Sequence, residues 1–164
     1  MEEPQTVSIS LTQHVGIMCR PTVKVGDRVL EGQLIGDITG GLGCPVHASV
    51  SGTVIRIDEV TGASGGLSYN IVIENDRQHI MSPEVHPFGK KLSEATSDEI
   101  IAAVRRAGIA GMGGTAFPTH AKMSAARSRV DHVIVNCCEC EPFVCANHRL
   151  VLECPEEIIG GVKI

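Results

Sequence analysis

Aromatic residues are scarce in this chain of 164 residues, which contains no Trp, one Tyr and three Phe. Its core must therefore be built mainly from Val, Ile, Leu and Ala. Basic residues are also outnumbered, because 14 Lys and Arg oppose 19 Asp and Glu for a net charge of −5. A nucleic-acid binder usually presents a basic face, so nucleic acid is not an expected partner.

Long apolar segments are missing as well. No run approaches the roughly 20 apolar residues that cross a bilayer. The first ten residues, MEEPQTVSIS, contain neither the basic nor the apolar part of a secretory signal. We therefore expect a cytoplasmic protein, in which thiols stay mostly reduced.

Cysteine is abundant by contrast, and five of the seven cysteines fall between residues 137 and 154. The spacing of Cys137, Cys140, Cys145 and Cys154 matches no established zinc or iron–sulfur pattern, so we predict no metal site. Two interpretations stay open. Cys137 and Cys140 form a thiol redox pair, or small buried thiols fill space behind a loop.

The first half of the chain, residues 5–80, alternates short β-branched runs with glycine-containing turns, which predicts a small β-barrel or sandwich. Two segments, VKVGDRVLEGQLIG (residues 23–36) and HASVSGTVIRI (residues 47–57), resemble the two halves of a biotinyl/lipoyl-type barrel-sandwich hybrid. Carrier domains of that type modify a lysine on the hairpin between the halves, but residues 37–49 contain no lysine. We therefore expect a structural or docking lobe over residues 1–80 and a linker over residues 81–95.

Helical patterns begin after the linker. Thr96 and Glu99 have the spacing of a capping box, and Gly108 stands where a helix commonly ends. Pro118 is expected to start a second helix. Together these residues predict a helix–loop–helix unit at the start of a second domain, residues 96–164.

One strand and two further helical segments are predicted in the remainder. The strand is VDHVIVN (residues 130–136), and the helical segments are NHRLVLE (residues 147–153), capped by Asn147, and PEEIIGGVKI (residues 155–164). A single strand cannot form a sheet. We therefore predict α+β or α/β architecture in which residues 96–164 are the first part of an α/β domain, truncated here or completed by a partner.

Four glycines fall within residues 108–114, in the sequence GIAGMGGTAFPTHAK (residues 108–122). The backbone amides of Gly111, Gly113 and Gly114, next to a helix start, suit a phosphate group. Lys122 adds a positive charge one turn later, and Phe117 offers a flat face for a ring. The pattern is neither G-x-G-x-x-G nor a P-loop. From the residues alone, a flavin or dinucleotide phosphate site and a flexible connector are both open.

The same segment resembles the flavin and NADH loop of the flavoprotein in respiratory complex I. NCCECEP (residues 136–142) resembles the form found in RnfC, a component of the Rnf electron-transport complex, and in the electron-transfer protein associated with proline reductase. Those proteins also carry a barrel-sandwich lobe with QHVG and PVHASVSGTV, which occur here at residues 13–16 and 45–54. The chain thus resembles the N-terminal portion of the RnfC family.

This resemblance implies binding of FMN and NADH. The three loop glycines, Lys122 and Asn136 would contact FMN, and Phe117 would stack against the dinucleotide. Glu139 and Glu141 would lie near the nicotinamide and its ribose. Electrons would pass from FMN to iron–sulfur clusters, expected only in the missing C-terminal part or in a partner, and no residue here is expected to be a catalytic acid or base. Ala116 departs from the family pattern, which usually has glycine there.

The resemblance further implies that the partners are other proteins of an electron-transfer complex. The location would be cytoplasmic, or peripheral on the cytoplasmic side of a membrane through those partners. Two alternatives are a non-catalytic docking or assembly module and a thiol-based electron carrier that uses Cys137 and Cys140. The sequence does not decide whether the chain is itself an enzyme.

Overall fold

The computed structural model describes residues 2–61, 65–112, 114–127 and 130–164. All assigned strands lie in the first half of the chain and all assigned helices in the second. The strands are β1 Thr6–Ser10, β2 Arg20–Pro21, β3 Arg28–Val29, β4 Leu34–Asp37, β5 Val46–His47, β6 Gly52–Thr61 and β7 Leu67–Asn75. The helices are a 3₁₀ turn Leu92–Glu94, α1 Ser97–Arg106, α2 Thr119–Ala126, α3 Ala146–Glu153 and α4 Pro155–Val162.

The strands form two antiparallel sheets, with orders β1-β7-β6-β3 and β2-β4-β5. The hairpin of β6 and β7 is the longest pairing, and its register runs from Gly52 opposite Asn75 to Thr61 opposite Leu67. Short strands joined by tight turns are typical of small β-barrels and sandwiches. This lobe is the predicted β architecture of the first half.

The core of the lobe is aliphatic, as the scarcity of aromatic residues predicts. Its fully buried side chains include Leu11, Val29, Ile35, Val54 and Ile71, and the single Tyr only packs against the edge of this cluster. Such burial removes apolar surface from water, at about 25 cal/mol for each Å². The lobe therefore has its own hydrophobic core.

The chain remains attached to the lobe beyond its last strand. The N–H of Glu31 donates to the carbonyl oxygen of Ile80 at 2.9 Å, and the N–H of Ser82 donates back to the carbonyl of Glu31 at 2.8 Å. The side chain of Ser82 is buried. The first residues that follow β7 therefore line the lobe rather than hang free of it.

Helix α1 begins and ends as its sequence predicts. The Thr96 hydroxyl accepts the N–H of Glu99 at 3.3 Å, and the Glu99 carboxylate accepts the N–H of Thr96 at 2.9 Å, which completes the capping box. Gly108 follows the C-cap with a φ of +68°, the left-handed conformation that commonly ends a helix. Helix α2 starts one residue later than predicted, because Pro118 is its N-cap.

The predicted strand over residues 130–136 is wrong for this structure. These residues have no strand assignment and are exposed, with Val133 at 73% and Ile134 at 89% of their maximal exposure. A β-branched segment becomes a strand by pairing with neighbours. The described strands all pair within the lobe, so the segment has no strand beside it.

Helices α3 and α4 pack on each other and α1 packs on α2. None of the four has a buried residue. Asn147 is not the cap of α3, as we expected, because the helix already begins at Ala146. Within the described ranges, no helix combines the length and the apolar character that a membrane span requires.

Candidate functional site

The glycine-rich segment forms a loop that closes on itself. Ala110 and Pro118 form an isolated antiparallel bridge at its base. Next to it, the N–H of Gly111 donates to the carbonyl oxygen of Phe117 at an N–O distance of 2.9 Å. The amide of Gly111 is therefore used within the loop, and it is not the free donor that the sequence predicts.

Open space surrounds Gly114 at the tip of the loop. Its φ is +84°, and apart from its chain neighbours no atom of the described residues would lie within 4 Å of a Cβ built on it. Gly113, a predicted phosphate contact, lies outside the described residues. The neighbouring Met112 is 97% exposed. Of the predicted glycines that the structure describes, Gly114 is thus the one at which a ligand can approach the backbone closely.

Phe117 and Lys122 follow the tip. The ring of Phe117 is half-buried, while Lys122 is exposed on α2. The N–H of Lys122 donates to the carbonyl of Pro118 at 3.4 Å, which places Lys122 one turn after the loop. An aromatic ring and an ammonium group therefore accompany the open glycine in one short segment.

The predicted acidic contacts are organised around the start of α3. A carboxylate oxygen of Glu139 accepts the N–H of His148, the third residue of that helix, at 3.0 Å. The side-chain oxygen of Asn136 accepts the N–H of Cys138 at 2.9 Å. Glu139 thus caps a helix from the preceding loop, which satisfies one otherwise unpaired amide. Glu141 is exposed.

No hydrogen bond or ion pair connects the glycine loop to residues 136–141 within the described part of the chain. The predicted site therefore consists of two separate groups of residues here. One is the loop with Gly114, Phe117 and Lys122, and the other is the segment with Asn136, Glu139 and Glu141.

The cysteines divide by exposure. Cys19 and Cys44 are buried in the lobe, whereas Cys138, Cys140 and Cys145 are exposed. In the ranges that the structure describes, no three or more His, Cys, Asp and Glu side chains converge as metal ligands do. The space-filling interpretation therefore does not fit Cys138, Cys140 and Cys145 of the loop, which are exposed.

Two family models match the chain in the order that the sequence resemblance implies. The RnfC barrel sandwich hybrid domain matches residues 1–78. The Nuo51 FMN-binding domain matches residues 104–164. These two matches cover the β lobe and the segment from the last turn of α1 to the end of α4, respectively.

Curated relatives agree with both matches. The C subunit of a sodium-translocating ferredoxin:NAD⁺ oxidoreductase complex from Acetobacterium woodii is 40% identical over 164 residues, 99% of this chain. The C subunit of a proton-translocating complex from Clostridium ljungdahlii is 35% identical over 98% of the chain. That of an ion-translocating oxidoreductase complex from Vibrio cholerae is 37% identical over 98%.

The chain belongs to the RnfC family. The predicted family, the barrel-sandwich hybrid lobe and the FMN-type domain are confirmed by these matches. The chain spans 37%, 35% and 21% of the lengths of those three relatives, so it corresponds to a minor part of each of them.

All eight predicted site residues of this RnfC segment fall within the part matched to the FMN-binding domain. Their roles remain predictions. The structure also places Val15 of the lobe beside the loop, which sequence analysis did not predict. Its N–H donates to the carbonyl of Ala116 at 2.8 Å. Val15 lies in the QHVG motif, but nothing in that motif indicates which part of the chain it touches.

Proposed function

We propose that this chain binds FMN through its glycine loop and takes part in electron transfer from NADH within a larger protein complex. The match of residues 104–164 to the FMN-binding domain carries the proposal. The loop supports it with an open, left-handed Gly114 in the segment that leads into α2. A backbone without Cβ groups lets the phosphate of a nucleotide approach its amides.

The residues fit FMN in part. Gly114 would leave its amide to the phosphate, Lys122 would supply a positive charge, and Phe117 would present a ring face. Asn136 and Glu141 would add polar contacts if the segment after residue 130 approaches the loop. Glu139 would act by holding the start of α3, since one of its oxygens is already engaged there.

FMN, when bound, accepts a hydride from NADH, which becomes NAD⁺, and releases the two electrons singly to iron–sulfur centres. The protein's part is to bind and orient, so none of its side chains needs to exchange a proton with a substrate. We propose other proteins of the complex as partners, with iron–sulfur centres outside these residues. Association with a membrane surface would occur through those partners.

The proposal is tested by titrating the purified chain with FMN and following the quenching of flavin fluorescence. We expect saturable binding that is lost in Gly114→Asp, because a carboxylate would then stand where a phosphate binds. Gly65→Asp is the matched control, since Gly65 has a φ of +80° and, like Gly114, no described atom beyond its chain neighbours within 4 Å of a built Cβ. Absence of binding, or equal binding by both variants, would overturn the proposal.

The same titration, together with an assay of electron transfer, separates the alternatives. A Cys137→Ser, Cys140→Ser double variant should keep FMN binding if the flavin site is as proposed. A docking module would bind neither FMN nor NADH and would be unaffected by Gly114→Asp. A thiol carrier would lose electron transfer in the double variant and keep it in Gly114→Asp.

A further inference from the structure

The glycine loop touches the β lobe directly. The N–H of Val15 donates to the carbonyl oxygen of Ala116 at 2.8 Å. Among the described residues, no other hydrogen bond joins the loop (residues 110–117) to a part of the chain outside residues 104–122. The turn that carries Val15 is itself fixed to the lobe, because the N–H of Ile17 donates to the carbonyl of Leu42 at 2.7 Å.

The end of α1 forms a second contact with the lobe. A Cβ at Gly108 would lie 2.4 Å from the carbonyl oxygen of Pro45 and 3.2 Å from the ring of His47. Gly108 also has a φ of +68°, where a side chain is strained. The backbone at Gly108 and the β5 segment therefore meet without a side chain between them, immediately before the loop begins.

Charged and polar groups surround these contacts. Arg105 and Asp37 face each other across the two halves at 3.8 Å. His120, in the first turn of α2, has a ring nitrogen, Nδ1, that is buried without a hydrogen-bond partner in the described part of the chain. Burial, followed by the charges of Arg105 and His14, lowers the pKa of His120.

The contacts bracket the loop on both sides. Gly108 lies before it, and Ala116 lies at its end. The base of the loop is closed by the hydrogen bond from the N–H of Gly111 to the carbonyl of Phe117 and by one from the N–H of Thr119 to the carbonyl of Ile109 at 3.0 Å. Because the closed loop contacts the lobe at two points, its position depends on the lobe.

We propose that the barrel-sandwich lobe positions the glycine loop, with Gly108 and Val15 as positioning residues. The lobe then sets the shape of the loop that receives the FMN phosphate, in addition to any docking role. This inference rests on the proposed function for its consequence on FMN. The contact between lobe and loop is testable without FMN.

The test compares Gly108→Ala with Gly89→Ala. Both glycines have left-handed φ values, +68° and +78°, but the nearest atom to a built Cβ at Gly89 is 3.8 Å away. The backbone strain is therefore matched, and the clash with Pro45 is specific to Gly108. Amide hydrogen exchange at Gly111 and Thr119 is measured in both variants, together with FMN affinity.

We expect exchange at those two amides to be at least about tenfold faster in Gly108→Ala, with FMN affinity about tenfold weaker, as a loss of about 1.4 kcal/mol would give. Gly89→Ala should change neither. Protection of the amides of β7 must be unchanged in both, which shows that the lobe is folded. Equal exchange in the two variants would overturn the inference.

The two proposals fail differently. If the wild-type chain does not bind FMN, the proposed function fails, while faster exchange in Gly108→Ala still supports the positioning. If the wild-type chain binds FMN and Gly108→Ala binds it equally well, only the proposed positioning by the lobe fails.

Should Gly108→Ala not fold, Arg105→Ala is compared with Arg106→Ala by the same two measurements, because Arg105 faces Asp37 of the lobe. Equal results for that pair overturn the inference as well.

Discussion

Replacing Ala116 with glycine should stabilise the helical half of the chain. Ala116 has a φ of +45°, in the left-handed region. A residue with a Cβ is destabilised there by about 1–2 kcal/mol. Glycine avoids that cost but gains freedom in the unfolded chain, which offsets about 0.5–1 kcal/mol. The carbonyl that accepts the N–H of Val15 is retained, so the net gain is expected to be about 0.5–1 kcal/mol in the free energy of unfolding.

The matched control is Ala103→Gly. Ala103 lies inside α1, where glycine costs about 1 kcal/mol relative to alanine. The same chemical change is therefore expected to have opposite signs at the two positions. The difference follows from backbone conformation alone, because neither substitution removes more than a methyl group.

Urea unfolding followed by the helical circular dichroism at about 222 nm measures both effects. This signal reports on the second half of the chain, since all assigned helices lie after residue 91. With a slope of about 1–3 kcal/mol per molar urea, a change of about 1 kcal/mol moves the midpoint by about 0.3–1 M. A midpoint for Ala116→Gly that equals or falls below the wild-type value would show that residue 116 is not strained in the left-handed region.

Three further outcomes are expected. A hydrogen bond and ion pair with Glu3 raise the pKa of His79 above 6.5. The stabilisation of the folded chain by this pair is fully present below pH 6.5 and is lost as the pH rises through the folded pKa. An NMR titration should show a lower pKa for His79 in Glu3→Gln than in the wild type. Burial raises the pKa of Cys19 to about 11 and also raises that of Cys44. Both thiols should therefore resist alkylation at neutral pH until the chain unfolds. Labelling of either thiol in the native state would contradict this prediction. Ile71→Ala should cost about 2–5 kcal/mol in the unfolding of the lobe, measured by amide exchange, because Ile71 is fully buried.

Local sequence patterns predict the elements that local interactions determine. The capping box of Thr96 and Glu99 forms as expected, because both partners lie within one helical turn. Alternating β-branched runs and glycine turns likewise predict the strands of the lobe and the hairpin of β6 and β7. The pairing of β1 with β7 and of β3 with β6 joins distant parts of the chain, and the sequence patterns do not predict it.

Elements that depend on distant partners are predicted less well. Residues 130–136 have the composition of a buried strand, but composition cannot supply the neighbouring strand that pairing requires. Asn147 is a good N-cap residue, yet Glu139 caps α3 from nine residues away. A side chain from a preceding loop can satisfy a helix end as well as the residue at the cap itself, and spacing rules for capping boxes do not include it.

The candidate site shows the same division. Glycine content predicts a loop with unusual backbone conformations, and Gly114 and Gly108 have them. Which amides remain free depends on the hydrogen bonds that the loop makes, and the N–H of Gly111 is engaged by Phe117. The contact of Val15 with Ala116 joins residues about 100 positions apart in sequence, so only the folded chain reveals it.

The contact between the lobe and the loop is important because the buried residues of the chain are concentrated in the lobe. Helices α1 to α4 contain no buried residue, whereas the lobe has a fully buried aliphatic cluster. A phosphate-binding loop must hold its amides in place before the ligand arrives, because ordering them afterwards would cost binding free energy. Exposed helices supply little of that rigidity. Within the residues described, the lobe is the rigid part of the chain next to the loop. Its contacts through Gly108 and Val15 hold the loop in place.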